Sequence, residues 1–185
     1  MLFVIGALTA FGVAAQPADA DAEKPAGGES FTYRVTGLFQ PDRADDLAVL
    51  VGETPGIELV SVNYDRSEAT FHFDVATVFP GAKPDQILGR LENVVRTNSR
   101  GTFGILPRCT LSEDEIEKVE IAVVGLDCKG CSLGAYNAVY RIDGVERATA
   151  SFKVGLVTCW IDPTKTNRAA LEAELVKKRV PLKQP

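Results

Sequence analysis

The feature that most constrains the fold is that the chain carries one unit twice. Gly37 and Gly125 lie 88 residues apart, and the same spacing pairs Val35 with Val123, Gly56 with Gly144, Glu58 with Glu146, Thr70 with Thr158 and Asp74 with Asp162, without a gap. Self-similarity at a fixed spacing means that any architecture assigned to one segment has to serve the other. A chain of 185 residues could form one ordinary domain or two small ones, and the repeat selects two.

Each copy opens with an alternating apolar stretch, F-T-Y-R-V-T or V-E-I-A-V-V, as a strand with one buried face requires. A loop follows, then a helix-like run that stops at Pro55-Gly56 or Asp143-Gly144, then two more strands. In the second copy these are V-E-R-A-T-A-S-F and V-T-C-W-I, closed by Asp162-Pro163. The run N-R-A-A-L-E-A-E-L-V-K-K-R then predicts an amphipathic helix, with a short last strand near Val180 to Leu182. The first copy departs after Asp74, where V-A-T-V-F-P-G-A-K-P lengthens the third strand or its loop before the helix D-Q-I-L-G-R-L-E-N-V-V-R and the strand T-F-G-I-L. The order βαββαβ is the ferredoxin-like one. The expected fold is therefore α+β, with two tandem ferredoxin-like domains at 31–107 and 118–185 and a linker at 108–117 whose acidic run reads as a solvated connector.

Residues 1–20 hold an apolar run too short for a comfortable membrane span, followed by the small-residue sites V-A-A and A-D-A. They read as a signal peptide or, since no Lys or Arg precedes the run, as an N-terminal anchor. Residues 21–30 form a polar tether, and the expected location is extracytoplasmic, periplasmic or secreted. Twenty basic against twenty-five acidic residues give a formal charge of −5, so no basic footprint supports binding of nucleic acid. With one histidine, no Ser-His-Asp set and no Gly-rich phosphate loop after a strand, no enzyme is expected.

The chemistry is concentrated in G-L-D-C-K-G-C-S, residues 125–132, between the first strand and first helix of the second copy. Cysteines flanking a helix start lie near unpaired N–H groups and the positive end of the helix dipole, which favour thiolate over thiol. The pair alone is compatible with a metal clamp, a thiol–disulfide redox couple or an inert disulfide. G-L-D-C-x-x-C, followed by Ala135, Ala138, Val139 and Ile142 on the helix, D-G-V, and a strand ending in I-D-P, resembles the heavy-metal-associated domain family. That family includes copper chaperones, a periplasmic mercury-binding protein and amino-terminal modules of metal-transporting P-type ATPases. The resemblance is specific over 118–182 and topological over 31–107. It implies a transition-metal ion (zinc, copper or mercury) held by Cys128 and Cys131 and passed to a partner such as a metal-transporting membrane protein. Family members usually carry Met where Leu126 stands, a volume-conserving departure beneath the loop.

Asp127 is the third candidate ligand. Two thiolates suit Cu(I) or Hg(II), whereas a carboxylate oxygen suits Zn(II) and similar divalent ions, and the same Asp-Cys-x-x-Cys arrangement is similar to that of zinc-, cadmium- and lead-exporting ATPase modules. Its other reading is a cap for the following helix. Lys129 is expected to offset negative charge on a metal–thiolate centre. In the first copy Phe39, Gln40 and Arg43 stand at the places of Asp127, Cys128 and Cys131, so this copy is expected to be a degenerate structural partner. Cys159 aligns with Phe71 and reads as a core hydrophobe; His72 aligns with Trp160 and reads as surface. Cys109, in the linker, is left open between a free thiol, an intermolecular disulfide and an extra ligand.

Overall fold

Strand positions 88 residues apart pair in the same register in the first antiparallel pair of each half, and in the second pair beyond a bulge that falls at a different place in each. The structure, a computed structural model, describes residues 27–184; the signal or anchor segment at 1–20 and most of the tether lie outside the described residues. The first copy comprises β1 (Glu29–Thr36), α1 (Arg43–Gly52), β2 (Glu58–Asn63), β3 (Glu68–Phe73), α2 (Val75–Val78), α3 (Pro84–Asn98) and β4 (Gly104–Leu106). The second comprises β5 (Glu117–Ala122), α4 (Lys129–Val139), β6 (Val145–Ser151), β7 (Leu156–Ile161) and α5 (Arg168–Lys177). In one antiparallel pair Phe31 faces Phe71; in the other Val119 faces Cys159. The sheet orders are β2-β3-β1-β4 and β5-β7-β6, with a bridge between Val123 and Leu182 standing in for the fourth strand of the second sheet. Both units are ferredoxin-like.

The repeated residues have identifiable tasks. Gly37 and Gly125 both take positive φ, +92° and +77°, as the chain leaves the first strand, and a Cβ on Gly37 would sit 2.2 Å from the Thr102 carbonyl oxygen. Asp74 and Asp162 each accept the backbone N–H two residues ahead, at 2.9 Å from Ala76 and 2.9 Å from Thr164. After Asp74 the extra residues form the short helix α2 rather than a longer third strand, because this cap starts a helical turn. The long helices bury one stripe each: Ile87, Leu91 and Val95 on α3, Leu171 and Leu175 on α5.

The two cores are separate clusters, with one exception. Phe39 leaves its own copy and joins the core of the second, where its ring packs on Tyr136 at 5.8 Å between centroids. Its carbonyl accepts from Ala150 N at 3.0 Å, and Gln40 Nε2 donates to Ala150 O at 3.1 Å, so the loop caps the outer edge of β6. Gly37 N donates to the Tyr136 hydroxyl at 2.8 Å, and the Arg34 guanidinium binds the carboxylate and carbonyl of Glu146. The first copy is thus docked through the loop that has no ligands.

Two expectations need correction. His72 is buried, only 5% exposed, because Gly28 packs across its face of the sheet and Ser30 Oγ lies 3.2 Å from Nδ1. The acidic linker is not merely solvated, since Glu113 pairs with Arg66 at 3.4 Å and Arg147 at 3.0 Å, one from each copy. No helix among the described residues is long and apolar enough to cross a membrane.

Candidate metal centre

The loop that carries the cysteines is held from both ends and from below. On its strand side, Val124 N donates to Pro181 O at 2.9 Å. Leu126 is buried beneath it, as Leu38 is at the matching place in the first copy. On its helix side, Ala135, Tyr136, Ala138 and Val139 fix α4 in the core, which sets the position of its first turn. Cys128, not Asp127, is the N-cap: its backbone is extended (φ −153°, ψ 166°) and its Sγ accepts from Cys131 N at 3.2 Å. The cap alternative for Asp127 is therefore ruled out by the sulfur that occupies that role.

Cys128 Sγ and Cys131 Sγ lie 2.6 Å apart, Cys128 exposed and Cys131 half-buried. The thiol of Cys131 and the N–H of Cys131, in that order, hold the Cys128 thiol below its ordinary pKa, against some desolvation and the nearby charge of Asp127. Two convergent sulfurs with thiolate character at one of them are a donor set for a soft or borderline cation. Metal–sulfur bonds of about 2.3 Å need the sulfurs farther apart than this. Binding therefore requires a change of rotamer at one of the pair, of which Cys128 is the exposed one.

Asp127 is exposed beside the pair. Among the described residues no group of three or more His, Cys, Asp or Glu side chains is gathered about one point, so the convergent donors are the two sulfurs. Lys129 does not stand free to neutralise them, as its ammonium is ion-paired with Asp42 of the first copy. That hydrogen bond holds the Asp42 carboxyl below the usual range and raises Lys129. Cys159 is fully buried, and desolvation pushes its thiol up to about 12, so it is inert as a ligand. Cys109 is half-buried in the linker, 3.9 Å from the Leu111 carbonyl, with its pKa raised by burial, and is not gathered with the pair.

Sequence reasoning missed Phe39, Gln40 and Asp42 as parts of this neighbourhood. The available signal was an aromatic at the loop tip where the other copy has a carboxylate, which is a poor fit to a solvated loop.

No protein-family model matches the chain, and no curated protein matches it. Among solved structures it is similar to oxidized MerP from Ralstonia metallidurans CH34, at 22% identity over 37% of this chain and 99% of that one, TM-score 0.35. It is also similar to the N-terminal soluble domains of Bacillus subtilis CopA, at 17% identity over 86% of this chain and 95% of that one, TM-score 0.35. A third is the N-terminal extension from Cupriavidus metallidurans CzcP, at 16% identity over 82% of this chain and 97% of that one, TM-score 0.32.

Proposed function

We propose that this protein binds a thiophilic metal ion at Cys128 and Cys131 and passes it to a partner, performing no covalent chemistry on it. The observation that carries this reading is the convergence of two sulfurs at the start of α4, with the Cys131 N–H supporting the Cys128 thiolate. The ion is cargo, zinc-type divalent or Cu(I)/Hg(II), and the Asp127 carboxylate, exposed beside the pair but not gathered with the sulfurs, favours a divalent one once it turns toward the ion. Binding displaces the thiol protons. Cys128 is the more exposed sulfur, so an acceptor's ligand reaches the ion from that side while Cys131 retains it, and the ion changes hands by ligand exchange. Residues 1–20 direct or anchor the chain outside the cytoplasm, which places the acceptor, a metal-transporting membrane protein, within reach.

The test is anaerobic titration of the reduced full chain with Zn(II), Cu(I) and Hg(II). One ion per chain is expected, lost in Cys128→Ser and Cys131→Ser and kept in Cys159→Ser. A stoichiometry of two, or binding that survives loss of both loop cysteines, refutes the reading. The same convergence of two sulfurs is open to one other reading, a pair oxidised in its compartment to a disulfide that cannot take metal. Thiol counting of the unfolded chain isolated without reductant, from its own compartment, separates the two.

A further inference from the structure

We propose that Asp42, on the copy that has no ligands, sets the ionic preference of the Cys128 and Cys131 site by drawing the Lys129 ammonium away from it; this rests on the reading of the pair as a metal clamp. Lys129 is the only cation in the 125–131 loop and stands between the two ligands. It is paired with Asp42 across the contact between copies. A pair between exposed side chains ordinarily contributes little, because two flexible groups have to be ordered to make it. Here one partner is already placed. Three residues before Asp42, Phe39 is buried in the core of the second copy, and Gln40 is tied to Ala150.

Charge counting then gives the consequence. Two thiolates with a monovalent ion carry −1, and with a divalent ion they carry no net charge. A neighbouring ammonium therefore stabilises the monovalent complex more than the divalent one, and the charge of Asp127 is common to both. With Lys129 engaged by Asp42, the monovalent complex loses that support, while Asp127 adds a further negative charge next to Cys128. The docked first copy therefore biases the loop toward divalent cargo, although it supplies no ligand.

The experiment uses the reduced full chain, titrated anaerobically with Cu(I) and Zn(II) under matched competitor chelators. Asp42→Asn is expected to raise Cu(I) affinity by roughly threefold to tenfold, with a smaller change for Zn(II). Adding Lys129→Met to Asp42→Asn is expected to return the ratio to the wild-type value. Both side chains are substantially exposed, 44% for Asp42 and 59% for Lys129, so neither variant empties a core. As a readout without metal, acylation of the Lys129 amine by a small reagent is expected to be faster in Asp42→Asn. An unchanged ratio in Asp42→Asn, equal shifts for both ions, or a shift that survives Lys129→Met overturns the assignment of Asp42. Failure of the wild-type chain to bind either ion would instead overturn the clamp itself.

Discussion

Cys128 and Cys159 are pushed in opposite directions by their surroundings, and their reactivity should separate accordingly. Hydrogen bonds from Cys131 lower the pKa of Cys128, whereas desolvation raises that of Cys159 to about 12. Alkylation of the native reduced chain should therefore label Cys128 with a pH midpoint below that of an ordinary thiol and leave Cys159 unlabelled until the chain unfolds, as peptide mapping would show. The sign follows from the thiolate: a depressed value keeps the nucleophile present as pH falls, and a raised one removes it across the whole accessible range. A second residue-scale outcome concerns Asp127. It caps nothing and lies beside the pair, so Asp127→Ala should weaken Zn(II) binding and leave Cu(I) affinity equal or tighter; equal losses for both ions would show that the carboxylate plays no part in the choice.

At the level of elements, β3 (68–73) and β7 (156–161) fall on the same positions of the repeat, residue for residue. This much was legible because inward and outward side chains alternate along a strand, and Phe71 and Cys159 both point inward in sequence and in space. The cysteine pair was legible for a similar reason, as both sulfurs are local to one loop and one helix start. The docking of loop 37–43 on β6 was not. Phe39, Gln40 and Arg43 record the loss of ligands, but the gain of a contact with Ala150 depends on a residue more than a hundred positions away, which no local pattern encodes. His72 was misplaced because its cover comes from Gly28, on a segment outside the repeat. The docking carries a measurable load. Phe39→Ala removes a ring that is 3% exposed and should cost about 3 kcal/mol in denaturant unfolding, with metal stoichiometry unchanged. A cost within experimental error would mean that the ring is not held in the second core.

For the whole molecule, the contact between copies joins a loop of one unit to the sheet edge of the next. A fragment of residues 118–185 keeps every ligand and should bind one ion, but it exposes the edge of β6 and the surface that Phe39 covers, so it should unfold at lower denaturant than the full chain. Residues 31–107 alone should fold and bind no thiophilic ion; binding there would mean that the site is shared. The loop-to-edge contact is also head-to-tail, and a head-to-tail contact between like units has no natural end: repeated from chain to chain it builds a filament. Among the described residues the first copy still offers an open edge at β2, with Val60 exposed, and the second copy still offers a loop. The two loop tips differ in one respect that bears on this: a phenyl ring stands at the docked one and the Asp127 carboxylate at the other. If a ring at the tip is what docking needs, Asp127→Phe should give concentration-dependent growth in light scattering; unchanged scattering would mean that a ring alone does not make the contact, and growth would give the Asp127 carboxylate a second consequence, that of keeping like chains apart.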